Sequence, residues 1–284
     1  MKPTTQRKPT PGKPTLTAAP ERESDTVGSL SRGLAILRAL VQANQPLSIT
    51  EIALSTGLDQ STIFRLLKIL EDNNSVIRLD ATKRYVASPQ TLLPLPLMHP
   101  INQLRRDAGP IIRDLSISLG ETVGLVLYIG MKRMVVEITQ SPGSLMPYYN
   151  TWLEGPLHGT ATGKGLLLSL KPERRREYLQ SAPLEQHTPL TITDADLLER
   201  ELEESAERGY VAAIDQQHIG LSAFASTIAT WHGKIVGCLV VTGHTRKFDE
   251  ARIERVILEL KQMTKLLTYQ TSTLDAVASS IGIQ

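Results

Sequence analysis

The chain has 284 residues, a length that suggests two domains at ~150 residues each. Apolar residues make up 41% and charged residues 21%, an ordinary globular balance that excludes a wholly disordered or fibrous chain. The formal charge of +2 says little as a total. No run approaches the ~18 apolar residues of a membrane span, and the basic, proline-rich start has no apolar stretch behind it, so neither a membrane protein nor a conventionally exported one is expected. A single cysteine, Cys238, can form neither an internal disulfide nor a thiolate zinc cluster, and a reducing cytoplasm is the expected setting.

Charge is unevenly spread along the chain. Residues 1–90 carry 12 Lys and Arg against 8 Asp and Glu, leaving 19 against 21 in the remaining 194. Such a basic end suits a nucleic-acid-facing half joined to a half with another task. Residues 1–26, rich in Pro, Thr and Lys with almost no large apolar side chain, read as a disordered tail.

From Leu30 the pattern turns helical, with Leu30, Leu34, Leu37 and Val41 on one face, until Pro46 ends the element. Ser48 and Glu51 have the spacing of a capping box, which opens a second helix over 49–55. Gly57 suits the left-handed residue that closes it, Leu58 can plug the turn, and Asp59 offers an N-cap for a third helix. There Ile63, Leu66, Leu67 and Leu70 form a buried stripe, while Ser61, Arg65 and Lys68 project almost opposite and Thr62 lies on the flank. Val76, Ile77 and Leu79, then Asp80-Ala81-Thr82-Lys83-Arg84 and Tyr85-Val86, predict a short hairpin with a basic tip.

Helix, glycine turn, helix and basic hairpin make a winged helix-turn-helix arrangement over residues 27–90. Only the major groove admits a helix and shows a distinct pattern for each base pair, and it is the N-terminal part of the helix that reaches those edges. The expected DNA-facing set is Gln60, Ser61, Thr62, Arg65 and Lys68 on the third helix with Lys83 and Arg84 at the wing. Arg65 can give a bidentate contact to guanine or phosphate, and the wing cations suit flanking phosphate or the minor groove. The competing reading is a three-helix module for protein contacts whose cations only keep a solvated face soluble.

Residues 91–109 hold Pro94, Pro96 and Pro100 and read as a linker, helical in part. Pro110 is placed in the first turn of a helix ending at Gly120. Strand-like runs follow at 122–129, 134–139, 210–215, 221–229 and 235–242. Long helices are expected over 194–208, capped by Thr193 with a Leu198, Leu202 and Ala206 stripe, and over 248–268 with Ile253, Ile257, Leu260 and Leu267. Turn signals such as His232-Gly233 indicate antiparallel pairing, so the second domain, over 110–272, is expected to be α+β, with 273–284 as a C-terminal tail.

Within it, residues 155–165 resemble a phosphate loop but fail its spacing: three residues, not four, separate Gly159 from Gly163, and Gly165 rather than Ser or Thr follows Lys164. What remains is a small-residue turn opening a helix, with Thr160 and Thr162 hydroxyls and free N–H groups that suit a small carboxylate; each glycine taken singly can equally serve packing. No catalytic motif and no metal-ligand spacing is present, and no cofactor is expected. His158 reads as a hydrogen-bonded structural residue, Cys238 as core, and Arg174-Arg175-Arg176 as a solvated face.

Several landmarks together resemble the IclR family of bacterial transcription regulators: Ser31-Arg32-Gly33-Leu34-Ala35-Ile36-Leu37, Ser61-Thr62-Ile63-Phe64-Arg65-Leu66-Leu67, residues 157–164, Arg208-Gly209-Tyr210 and residues 237–243. The resemblance implies a winged helix-turn-helix joined by a linker helix with dimer contacts to a GAF-like antiparallel-sheet effector-binding domain. It implies operator DNA and a small-molecule effector as partners, and a homodimer or dimer of dimers. It also implies an effector pocket formed by Ser144, Pro147, Ala161, Thr162, Leu221, Ala223, Val240 and Thr242. Two departures make that pocket less polar. The family's acidic cluster after Arg208-Gly209-Tyr210 is replaced by Val211-Ala212-Ala213-Ile214-Asp215-Gln216-Gln217, and Ala223 and Val240 stand where some relatives have Ser or Cys. An effector with an apolar or aromatic body and one acidic or amide head is therefore expected. The runner-up function is an enzyme that transforms the molecule bound by the C-terminal domain.

Overall fold

The computed structural model describes residues 28–43, 45–79, 81–92, 95–147, 151–270 and 273–282; the tail expected over 1–26 lies outside them. The chain divides into two compact units, Met1–Pro94 and Leu95–Gln284.

In the first unit α1 (Ser29–Gln42), α2 (Ile49–Thr56) and α3 (Gln60–Asp72) precede a hairpin of β1 (Val76–Leu79) and β2 (Arg84–Ala87), then a short α4 (Pro89–Leu92). The capping box at α2 forms as the spacing predicts: the Ser48 N–H donates to Glu51 Oε2 at 2.7 Å, and the Glu51 N–H donates to Ser48 Oγ at 3.3 Å. Gly57 closes α2 at φ 70°, a left-handed conformation costly for other L-residues. Asp59 caps α3 by accepting the Thr62 N–H at 2.8 Å. Ile63, Leu66 and Leu67 are buried with Ile36, Leu40, Ile52, Val76, Tyr85 and Ala87.

The face of α1 departs from expectation. Gly33, Ile36 and Leu40 are buried, whereas Leu30 is 78% exposed and Leu34 and Val41 are also exposed; of the predicted stripe only Leu37 packs against the core. This helix is apolar on two adjoining faces, so periodicity alone picks the longer run, and docking onto α2 and α3 decides the other.

The second unit opens with α5 (Pro100–Leu119), followed by β3 (Thr122–Ile129), β4 (Lys132–Thr139), β5 (Trp152–Leu153), α6 (Ala161–Ser169), α7 (Pro172–Ser181), α8 (Ala195–Arg208), β6 (Val211–Ile214), β7 (Leu221–Ala229), β8 (Ile235–His244), α9 (Glu250–Gln270) and α10 (Thr273–Ser280). The strands form one six-stranded sheet in the order β5-β4-β3-β8-β7-β6, antiparallel throughout. Alternation sends Leu125, Leu127, Leu239 and Val241 to one face, against α5, α9 and α10. Val126, Tyr128, Ala225, Cys238 and Val240 go to the other, against α6, α7 and α8.

Three boundaries differ from the sequence reading. Pro110 lies inside α5, not at a helix start, because Ile101, Leu104, Ala108, Ile112, Leu115 and Leu119 form one continuous buried stripe whose packing outweighs the hydrogen bond a proline omits. The break at 109/110 therefore falls within a single helix. Residues 273–280 are no tail but α10, with Leu274, Val277 and Ala278 in the core. Asp194 rather than Thr193 caps α8, accepting the Leu197 N–H at 2.8 Å, and Ser205 is buried where Ala206 is exposed. Arg175, expected on a solvated face, is buried and held by Glu199, with Nη2 to Oε1 at 2.6 Å.

Candidate functional site

Two surfaces carry the predicted functional residues, one in each unit. On α3, Gln60, Ser61, Arg65 and Lys68 are exposed and Thr62 is half-buried, opposite the buried stripe, so burial of that stripe aims the polar face outward. The Ser61 hydroxyl is already used: it donates to Asp59 Oδ1 at 2.6 Å. At the wing, Lys83 is exposed and left-handed at φ 52°. Arg84 is not at the tip. It starts β2, and its Nη1 donates to Pro46 O at 2.7 Å and Glu51 Oε2 at 2.9 Å. The guanidinium thus ties the wing to the α2 cap, and Glu51 is held below the usual carboxylate range first by its hydrogen bonds to Ser48 and then by Arg84.

In the second unit the strands bring four predicted effector residues onto the α6 side of the sheet. Ala223 pairs with Thr242 in register, Leu221 lies two residues before Ala223 on β7, and Val240 two before Thr242 on β8. Across β8, Gly124 faces Val240, and a Cβ there would lie 3.4 Å from Val240 Cγ1. Ala161 shares the apolar cluster of Val240 and Ala223, and Thr162 beside it is buried. Ser144 joins through Thr122, the register partner of Thr242: the two hydroxyls are 2.9 Å apart, and Thr122 Oγ1 donates to Leu145 O. Pro147 follows on the same segment, half-buried.

The start of α6 is built differently from the expected cluster of free N–H groups. Thr160 accepts the Gly163 N–H at 3.2 Å, and a buried arginine from β4 closes the turn. Arg133 donates through Nη1 to Thr160 Oγ1 at 2.7 Å and Thr162 Oγ1 at 3.0 Å, and through Nη2 to Gly155 O. The strand expected from Met134 leaves Arg133 out; within β4 it pairs with Tyr128 of β3 and Leu153 of β5, and alternation turns its side chain to the α6 side with Tyr128. Lys164 is likewise buried. Its Nζ donates to both Glu201 oxygens at 2.8 Å, to Gln216 Oε1 at 2.6 Å and to Ala212 O at 3.3 Å; burial lowers its pKa while Glu201 opposes the shift.

Two glycines in the first half of α6 are explained by packing. A Cβ on Gly163 would lie 2.4 Å from Leu157 O, and one on Gly165 2.3 Å from the Tyr128 hydroxyl. That hydroxyl is buried without a hydrogen-bond partner of good geometry, beside the Cys238 thiol, and burial raises its pKa. Cys238 is a core residue whose thiol burial pushes up to about 12. His158 is buried, with Nε2 2.9 Å from Glu185 O and its ring 5.8 Å from that of His187; burial lowers its pKa. Asp215, from the segment that replaces the acidic cluster, accepts the Gly220 N–H at 2.7 Å and the Thr245 hydroxyl at 2.6 Å, a turn-forming role. A separate cavity of about 180 Å³ lined by Leu168, Arg175, Tyr210, Thr227 and Ile235, among others, includes none of the predicted effector residues. Among the described residues no group of three His, Cys, Asp or Glu could hold a metal ion, and no helix is long and apolar enough to cross a membrane.

Comparison with known proteins matches residues 100–268 to the bacterial transcriptional regulator IclR C-terminal family and residues 29–76 to the IclR helix-turn-helix domain. The chain is 28% identical over 225 residues to the HTH-type transcriptional repressor AllR of Escherichia coli K12, covering 79% of this chain and 83% of AllR. Among solved structures it resembles the IclR of Thermotoga maritima at 27% identity and a TM-score of 0.68, over 89% of this chain and 98% of that one. An IclR homologue from Microbacterium hydrocarbonoxydans complexed with 4-hydroxybenzoate shares the fold at a TM-score of 0.75 and 19% identity, over 88% of this chain and all of that one.

Proposed function

The chain belongs to the IclR family of bacterial transcriptional regulators, and from that premise we propose that α3 and the wing read operator DNA while the α6 side of the sheet binds an acidic effector with an apolar body. The observation that carries the DNA reading is the outward polar and basic face of α3, held rigid by its Asp59 cap and its buried stripe. Arg65 and Lys68 supply base-edge or phosphate contacts, and Lys83 a flanking phosphate. Gln60 offers the first side chain of the helix and Thr62 its half-buried hydroxyl on the flank, the Thr62 N–H being held by Asp59. Arg84 acts indirectly, by fixing the wing on Glu51.

For the effector, Leu221, Ala223, Val240 and Ala161 offer an apolar wall, with Thr242, Thr162, Ser144 and Pro147 at its margin. The 4-hydroxybenzoate of the Microbacterium homologue has the chemistry this wall suits, an aromatic body with one carboxylate. The protein acts as a homodimer or dimer of dimers in the cytoplasm on genes of small-molecule catabolism, and it returns its ligand chemically unchanged. Effector and operator affinities are then linked by one coupling free energy, typically 1–3 kcal/mol.

Fluorescence anisotropy with duplexes enriched from a random pool, across a salt series, tests the first half. Arg65→Ala is expected to weaken binding and lower the salt slope by about one unit if it neutralises a phosphate; no change in either affinity or slope for Arg65→Ala and Lys83→Ala refutes it. Isothermal titration with aromatic and short aliphatic acids tests the second: binding of short acids such as glyoxylate without any aromatic acid overturns the predicted class. Mass spectrometry showing a converted ligand would replace regulation by catalysis.

A further inference from the structure

We propose that Phe64 reads thymine in the operator, laying its ring against the C5-methyl group in the major groove. The inference rests on the DNA-binding reading above and adds a base-specific contact to it.

Phe64 is 56% exposed, in a chain with only three phenylalanines. The other two, Phe224 and Phe248, meet edge to face at 5.1 Å against the core. A singly exposed apolar residue needs no explanation by itself; position is what distinguishes this one. At ~100° per residue, Phe64 sits about 40° from Lys68 and about 60° from Ser61 around α3. It therefore shares the outward face with the small and basic residues. The ring cannot turn into the core, because Ile63, Leu66 and Leu67 fill that side.

The neighbours also limit which side chains can read bases. The Ser61 hydroxyl is committed to Asp59, and Thr62 is half-buried on the flank. Among the described residues of this face, Gln60, Phe64, Arg65 and Lys68 carry the long exposed side chains, and an amide such as that of Gln60 serves adenine. Arginine and lysine serve guanine or phosphate, which leaves the aromatic ring as the apolar reader. Thymine alone of the four bases presents a methyl group in the major groove, and Phe is among the side chains suited to it.

The test uses the full chain and a duplex enriched by it from a random pool. Each thymine is replaced singly by deoxyuridine, which keeps the Watson–Crick edge and removes one methyl. The wild-type protein is expected to lose about three- to five-fold in affinity at one or two positions per half-site, the burial of a single methyl, and Phe64→Ala to lose nothing further there. Phe64→Gln, which keeps the reach and the helix preference without the apolar face, is expected to behave as Phe64→Ala does. Equal deoxyuridine sensitivity in wild type and both variants overturns the proposal, as does a wild-type protein indifferent to every replacement. Failure to enrich any duplex takes down the DNA-binding reading itself, an outcome distinct from enrichment without methyl dependence.

Discussion

Replacing Gly165 by alanine puts a methyl group 2.3 Å from the Tyr128 hydroxyl, with the ring Cζ at 3.5 Å and Thr227 Cγ2 at 4.0 Å. The hydroxyl is the only atom in conflict, since 3.5 Å is ordinary contact. Tyr128 is 3% exposed and enclosed by the α6 side of the sheet, so it cannot swing aside cheaply. Overpacking of this kind costs about 1–3 kcal/mol, against about 1 kcal/mol gained from alanine over glycine inside a helix. Gly165→Ala alone should therefore destabilise by roughly 0–2 kcal/mol. Tyr128→Phe removes the conflicting atom and with it a buried hydroxyl lacking a well-formed hydrogen bond, relieving up to about 1–3 kcal/mol of desolvation cost. The double variant should keep the helix gain and shed the clash, giving a favourable coupling of about 1–3 kcal/mol between the two sites. Urea unfolding of the full chain, followed by far-UV circular dichroism for wild type, both singles and the double, measures it. Additivity within about 0.5 kcal/mol would refute the reasoning, because the cost of Gly165→Ala would then come from something other than the Tyr128 oxygen.

Lys83→Ala should reduce the salt slope of DNA binding by roughly one unit, whereas Arg84→Ala should leave the slope unchanged and slightly lower the unfolding midpoint of the first unit, since it loses its solvent-screened ion pair with Glu51 and its bond to Pro46 O; the reverse pattern would put Arg84 on DNA. Glu201→Ala strands the buried Lys164 ammonium and should cost about 3–5 kcal/mol, more than Lys164→Met, which leaves Glu201 partly open to water; equal costs in urea unfolding would contradict this. His158 has a folded pKa below its ordinary 6.5, so above pH 6.5 both states are neutral. As the pH falls below 6.5 the unfolded chain takes up the proton first, and stability is lost until the folded value is passed; thermal scans between pH 7.5 and 5.5 should show a shallower loss in His158→Gln than in wild type. Cys238, with its thiol pushed to about 12, should resist thiol reagents at pH 8 until the protein unfolds; prompt labelling of native protein would show the strand to be open.

The legible parts of this protein are those whose physics is local. The Ser48–Glu51 box, the Gly57 turn and the Asp59 cap each involve residues within four positions, so spacing alone specifies them. The α3 stripe is equally plain because that helix has a single apolar face, and its outward side follows from it. The strands of the second unit show through β-branched runs bounded by turns, and alternation put Ala223 with Thr242 on one face once the register was known.

Where two local readings compete, only the assembled core chooses. The α1 helix offers two apolar faces, and contact with α2 and α3 buries Ile36 and Leu40 rather than Leu34 and Val41. A proline inside α5 is tolerated because a six-residue stripe is buried on either side of it, and residues 273–280 become helix α10 because the core has room for Leu274 and Val277. The charged groups were the least readable. Arg84, Arg133, Lys164 and Arg175 look alike in sequence, yet their partners Glu51, Thr160, Glu201 and Glu199 lie 24 to 37 residues away. Local sequence settled the caps of α2 and α3 and the outward face of α3, because the interactions that fix them are short-ranged. Which cations stay exposed and which are sealed inside was decided by tertiary structure, because a charge enters a protein interior only where distant residues supply its hydrogen bonds.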